Sequence, residues 1–500
     1  MHFSCGLPQG GLCAYTEYKQ ERGTTLQHDD ASLLERLQSL DALAMHMPGH
    51  KRNELAPYLT ALGAALDITE IEGFDNLHQP QGVLARSMEL AAQVFGAQHT
   101  LYSVNGSTAG ILAGIGALAA PGDTVLVARN CHMSVIHALR LHRLNPVFLH
   151  PPLAEGLPVF GSLPVSLVAD ALAQHPKARL VVLTSPTYEG VLSDVQGICA
   201  AAHSAGAAVL VDEAHGAHLG LGAGFPSGAV AAGADVVVQS LHKTLPSLTQ
   251  TAVIHVKEQH IAQAVARGMR MFETSSPSYL LLASIDSCVR LLAKQGPELM
   301  ARWRAALDAF AQAVSDLRAL RVVSLGEKPG HVWGLDPSKL LIHTRPAGLS
   351  GPELAQCLRE QHGIECEMAL PDTLLAMTGM GDTQDTLLRL AHALVEIDRT
   401  LSPGAISIPM PWPISETVLP MNPAATQPWQ LVPRAQSLGK VCAEMITLYP
   451  PGAPLLLPGE RITAEALQAL ERARMDQSSV FFERGSHEAL AVVSENVSNL

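Results

Sequence analysis

The chain has 500 residues, 47% hydrophobic and 16% charged, with a formal net charge of −13 and a pI near 5.9. That length carries two or three domains with a large core, and the acidic balance argues against nucleic acid or an anionic membrane as partner. Eight cysteines are scattered with no CxxC pair, which speaks against a disulfide frame or a zinc site; with no secretory signal and no apolar run of membrane-spanning length, a cytoplasmic location is expected.

Residues 1–44 read as an arm or leading helix, with one amphipathic stretch from Ser32 to Leu43. From Met45 to about Ser275, short apolar runs alternate with helical patterns. Tyr102-Ser103-Val104 reads as a short strand that breaks into Asn105-Gly106-Ser107-Thr108-Ala109-Gly110 and a helix to Ala119. Thr124–Val127, Pro146–Leu149, Leu180–Leu183, Ala208–Val211 and Asp235–Val238 read as buried strands, with a helical stretch at Ile198–Ala205. Such alternation predicts βαβ units: an α/β fold with a mostly parallel sheet covered on both faces. Ser284–Leu320 reads as a long helix with a breaker at Gly296-Pro297. Lys339–His343 and Gly363–Glu367 read as strands flanking a helix from Pro352 to Gln361, giving a smaller α/β unit over 301–400. A Pro-rich linker, Pro403–Pro413, leads into a last segment (401–500) with Tyr449-Pro450-Pro451-Gly452 and a helix Thr463–Met475.

Two of the apolar runs end in chemistry. Ala208–Val211 ends in Asp212-Glu213-Ala214-His215, and Asp235–Val238 leads to Ser240-Leu241-His242-Lys243. A carboxylate and a lysine delivered to one edge of a sheet suit pyridoxal phosphate: the lysine forms a Schiff base, and the carboxylate keeps the ring nitrogen protonated so that the ring accepts electrons. Lys243 has apolar neighbours, and burial would leave more of its amine neutral and nucleophilic. Asp212, at the end of a buried strand, needs a cationic partner, which a pyridinium nitrogen would supply. Gly106, Ser107 and Thr108 at a helix start offer backbone N–H groups and hydroxyls to a phosphate, although Ser and Thr are also ordinary N-cap residues. Ser240 and His242 flank the lysine and suit the same phosphate. His132, at a strand-to-helix turn, suits stacking on the cofactor ring; a histidine satisfied by local backbone is the plain alternative. The string Asp212–His215 also matches a helicase motif, but no phosphate-binding GxxxxGK[ST] loop precedes it. His215 and His218 beside Asp212 suggest a metal only by coincidence among 22 histidines, and no metal is expected.

Together these stretches resemble the ornithine/lysine/arginine decarboxylase family. The resemblance is carried by MPGHKRN (Met47–Asn53), EIEGFDNLHQPQGV (Glu70–Val83), NGSTAGI (Asn105–Ile111), RNCHMSV (Arg129–Val135), SPTYEGVLSD (Ser185–Asp194), VDEAHGAH (Val211–His218), SLHKTLPSLTQTA (Ser240–Ala252) and YPPGAPLLLPGE (Tyr449–Glu460). It implies a PLP-dependent, aspartate-aminotransferase-like large domain over 45–300 and decarboxylation of a basic amino acid, arginine or lysine ahead of ornithine, within polyamine biosynthesis. Position by position, it implies Lys243 as the Schiff-base lysine, Asp212 on the ring nitrogen, and His132 and Ala214 on the two ring faces. Gly106, Ser107, Thr108, Ser240 and His242 would hold the phosphate, with His215 also in the cofactor set. Ser275, in Thr274-Ser275-Ser276-Pro277, would reach a neighbouring subunit's phosphate, which implies a homodimer or dimer of dimers with shared sites. Glu444 would meet the distal cation of the substrate. The chain has no room for the N-terminal wing domain of the large inducible members, so higher rings are not expected, and Leu448 stands where the family usually has proline. The same fold also serves aminotransferases and other lyases, and a catalytically silent regulatory paralogue is the remaining alternative.

Overall fold

Strands covered on both faces must be apolar along their whole length, and the buried runs of this sequence assemble into such a sheet. The structure, a computed structural model, describes residues 31–52, 57–323, 328–404, 413–449, 452–475 and 479–494. Most of the N-terminal arm, the linker at 405–412, Asn53 of MPGHKRN and Pro450-Pro451 lie outside the described residues.

Strands β1 (His99–Ser103), β2 (Thr124–Ala128), β3 (Asn145–Leu149) and β4 (Ala178–Thr184) are followed by the short β5 (Val191–Leu192), then β6 (Ala208–Asp212), β7 (Val236–Ser240) and β8 (Ala252–Val256). All but β5 join one seven-stranded sheet in the order β1-β8-β7-β6-β4-β2-β3. The β7-β6-β4-β2-β3 portion is parallel, whereas β8 runs antiparallel to both β7 and β1. Register places Asp212 beside Thr184 of β4 and beside Val238 of β7. The carboxyl ends of neighbouring parallel strands therefore open on one edge, where α/β folds bind ligands.

The helix Gly106–Leu118 packs on this sheet through glycines. A Cβ at Gly110 would lie 2.8 Å from Ile254 Cγ1, and one at Gly114 would lie 2.7 Å from Leu210 Cδ1. Only a bare backbone fits that close, and the packing brings the helix N-terminus over the strand ends.

The long helix runs from Tyr279 to Ala313, earlier at both ends than the sequence pattern suggests, and passes through Pro297. Ser278 caps its start, accepting from Leu281 N–H. Beyond its end, the N–H groups of Arg318, Ala319 and Leu320 donate to the buried Asp398 carboxylate at 2.8–2.9 Å, so these residues turn to a side chain and not to a further helical turn.

A second sheet has the order β12-β13-β11-β9, from β9 (Arg321–Val322), β11 (Lys339–His343), β12 (Met368–Leu370) and β13 (Thr373–Met377); β10 (Gly334–Leu335) pairs separately with β5. The strand expected at Gly363–Glu367 begins only at Met368. Gly363, at φ 62°, is the left-handed C-cap of the helix Gly351–His362, so the chain first has to turn. In the last segment, β14 (Trp429–Pro433) pairs with β18 (Ala489–Val493), and β15 (Ile446–Tyr449) lies between β16 (Ala453–Leu456) and β17 (Ser479–Phe482).

Candidate active site

β6 ends at Asp212, and β7 runs through Ser240 into the single helical turn Leu241–Thr244 that carries Lys243. The Lys243 Nζ lies 2.8 Å from Nε2 of His215, three residues beyond Asp212. Burial lowers the pKa of Lys243; Asp212 and Glu367 oppose the shift and Lys339 reinforces it. Burial also holds His215 well below its ordinary pKa, helped by the charges of Lys243 and Lys339, so a neutral imidazole meets the lysine. Asp212 is buried, accepts the Ala214 N–H at 3.2 Å, and forms no ion pair among the described residues.

His132 is the N-cap of the helix Met133–Leu141, its Nδ1 accepting from Ser134 N–H at 3.2 Å and bonding the Ser134 hydroxyl at 2.8 Å. An Nδ1 that accepts leaves the proton of the neutral ring on Nε2. The last segment reaches in at this point. Gly452 accepts from Met133 N–H at 3.1 Å, and with φ 87° its missing Cβ would stand 3.0 Å from His132 Cδ2. Next to it, Ala453 lines the cavity together with Ser107, Asn130, His132, Asp212, His215 and Lys243.

Gly106 (φ 74°) opens the helix Gly106–Leu118, and the preceding Asn105 makes no side-chain cap. The first-turn N–H groups thus lack that internal partner. The Ser240 hydroxyl is buried with no hydrogen-bond partner, and so is the Thr184 hydroxyl at the end of β4. An orphaned hydroxyl beside the lysine, an uncapped helix start and a buried carboxylate without a cation together fit pyridoxal phosphate. When bound, this group supplies an electron sink for the charge left at Cα.

Other expected residues are not brought to the cavity. Thr108 and Ser275 are exposed, neither lines the cavity, and Nδ1 of His242 is bonded to the Thr251 carbonyl at 3.0 Å. Glu444 must be corrected. It is fully buried and its carboxylate accepts from the N–H groups of Arg484, Gly485 and Ala491 at 2.7–2.8 Å. Those bonds make it a brace inside the last segment and leave it no geometry for a substrate cation.

Several site residues escaped the sequence reading. Asn130, Phe160, Thr184, Thr187, Tyr188 and Glu189 line the cavity. The Tyr188 ring lies 4.5 Å from that of His215, and its hydroxyl donates to Glu367. The signal for Thr187, Tyr188 and Glu189 was present, since they form the middle of the SPTYEGVLSD stretch. Lys339 offered no such signal. In the sequence it is only the first residue of an apolar strand, yet it is fully buried and donates to the His215 carbonyl at 3.0 Å.

The sequence signature of the Orn/Lys/Arg decarboxylase major domain matches residues 41–386, and that of the C-terminal domain matches residues 421–478. An arginine decarboxylase of Bacillus subtilis is 33% identical over 444 residues, covering 85% of this chain and 89% of its own. The constitutive lysine decarboxylase of Escherichia coli is 26% identical over 513 residues, covering 83% and 69%. In three dimensions, lysine decarboxylase A from Pseudomonas aeruginosa superposes with a TM-score of 0.78 at 21% identity, over 92% of this chain and 80% of that one. On the strength of the major-domain match, with its PLP-dependent α/β fold, the chain belongs to the Orn/Lys/Arg decarboxylase family.

Proposed function

We propose that this decarboxylase takes arginine ahead of lysine or ornithine, with Lys243 as the residue that holds pyridoxal phosphate. The chain is a PLP-dependent decarboxylase of basic amino acids, a carbon–carbon lyase. The observation that carries the site assignment is the half-buried Lys243 amine, 2.8 Å from His215 and one strand away from a buried Asp212 with no ion pair among the described residues. In this reading Asp212 holds a proton on the ring nitrogen, His132 covers one ring face and Ala214 the other, and Gly106, Ser107 and Ser240 bind the phosphate. Orienting the carboxylate to leave perpendicular to the ring favours decarboxylation over transamination.

Support for a cationic substrate comes from Glu189. It lines the cavity, is buried with its pKa pushed upward, and is hydrogen-bonded by the Thr187 hydroxyl and its own N–H, with no ion pair among the described residues. A guanidinium or ammonium would compensate that carboxylate. The preference for arginine rests on the relatives, since the Bacillus protein at 33% identity is an arginine decarboxylase and the E. coli protein at 26% is a lysine decarboxylase.

We further divide the chain into an N-terminal arm to residue 44, a cofactor domain over 45–300, a small domain over 301–400 and a C-terminal segment. Exposed Ser275 and the loop around it are assigned to a second subunit's site in a homodimer. Among the described residues no helix is long and apolar enough to cross a membrane, and the six described cysteines are free, which supports a cytoplasmic setting.

The test is a competition assay. Protein supplied with PLP receives equal arginine, lysine and ornithine, and the amines are read by mass spectrometry. Agmatine should dominate and vanish in Lys243→Ala; dominant cadaverine or putrescine would overturn the arginine assignment.

A further inference from the structure

Behind His215 lies a charged cluster that the reaction as described does not use. Lys339, Asp336, Ser338 and His218 are all fully buried. Lys339 Nζ donates to the His215 carbonyl at 3.0 Å, to Asp336 Oδ2 at 3.3 Å and to Ser338 Oγ at 3.2 Å, so all three of its protons have acceptors. Asp336 Oδ1 is bonded by His218 Nε2 at 3.1 Å and by Ser338 N–H at 2.9 Å. The His218 ring packs on Trp303 of the long helix at 5.0 Å and on Phe225 at 5.3 Å. The Lys339 stem is also held. A Cβ at Gly190 (φ 94°), beside Glu189, would stand 2.8 Å from Lys339 Cβ.

A buried ion pair alone is weak evidence of purpose, because apolar residues of similar volume often serve stability as well or better. What sets this one apart is where the third proton goes: to the backbone of the histidine whose ring meets the Lys243 amine. We propose that Lys339 is a positioning residue for Lys243. From β11 its ammonium pins the His215 carbonyl, and with it the imidazole seat of the amine, and it supplies a fixed positive charge behind that seat.

The groups facing Lys243 give this charge a definite effect. Asp212 at the end of β6 and Glu367 just before β12 favour the ammonium form, whereas burial and Lys339 favour the neutral amine; His215, His132 and His242 stand nearby with lowered pKa values, each partly because of the Lys243 charge. Without Lys339 the amine would face the carboxylates less opposed. It would stay protonated to higher pH, and only the neutral amine condenses with the cofactor aldehyde, releasing one water.

The inference rests on Lys243 being the cofactor lysine, and the experiment separates the two. Full-length protein is stripped of cofactor, remixed with PLP, and the rate of growth of the visible band of the lysine-bound cofactor is followed from neutral to alkaline pH. Lys339→Met, which removes charge and donor, and Lys339→Gln, which keeps a donor for the His215 carbonyl, should both move the pH midpoint upward by about half a unit or more. Lys339→Arg should leave it near the parent value. A purely structural role would lower the rate at all pH values with the midpoint fixed, and that result in Lys339→Gln would overturn the proposal. A band that persists in Lys243→Ala would instead overturn the lysine assignment.

Discussion

Replacing Arg129 with methionine should loosen the last segment from the sheet and cost about 3–5 kcal/mol, the typical penalty for stranding one partner of a buried ion pair. Arg129 follows β2 directly. Its Nε lies 3.1 Å from Oε1 of Glu460 and its Nη2 lies 3.0 Å from Oε2, while Nη1 donates to the Pro454 carbonyl at 2.6 Å. The two side chains are 4% and 3% exposed, so solvent cannot take over when the guanidinium goes. Glu460 would retain the Leu457 N–H at 2.8 Å but no cation from Arg129. The double variant Arg129→Met/Glu460→Leu strands no charge, and it should be more stable than the sum of the single losses by about 2 kcal/mol or more. Denaturant unfolding of the parent, both singles and the double completes the cycle, and the coupling should survive high salt because buried pairs are little screened. Pro454 follows Ala453 of the cavity wall and Gly452 at His132, so kcat/KM should fall in the single variant as well. A single-variant cost under about 1 kcal/mol, or strict additivity, would refute the reasoning.

Acid should destabilise the sheet through His255, which is buried with Nδ1 on the Thr100 hydroxyl at 2.9 Å, Nε2 on Gln239 Oε1 at 3.0 Å, and a pKa lowered by burial to about 3. Its folded pKa is below its unfolded one, so this stability is complete above about pH 6.5 and is lost as pH falls towards 3, by about 1.4 kcal/mol per unit. His255→Gln should flatten that part of the stability-against-pH curve, and an unchanged slope would count against it. At the cavity, Glu189→Gln should raise KM for arginine about tenfold or more, in line with a lost charge-assisted hydrogen bond, with a smaller change in kcat. An unaltered KM would remove Glu189 from substrate binding.

The cofactor chemistry was legible because it rides on strands. Ala208–Val211 and Val236–Val238 are apolar because both faces are covered; Asp212 closes the first strand, and Lys243 follows three residues after Ser240, where the second strand ends. Asn105-Gly106-Ser107 likewise announced a helix starting straight after a short strand. These are local signals, set by alternating burial and by turn chemistry within a few residues. Long-range pairing decided the rest. Glu444 looked available for a cation until the N–H groups of residues 484, 485 and 491 folded onto it. Lys339 was only the head of an apolar strand until β11 carried it beneath His215, 124 positions away in sequence. Whether a charged side chain faces water, a substrate or a buried carbonyl depends on which distant segment covers it. One-dimensional spacing carries no such information, so these roles emerge only in the folded chain.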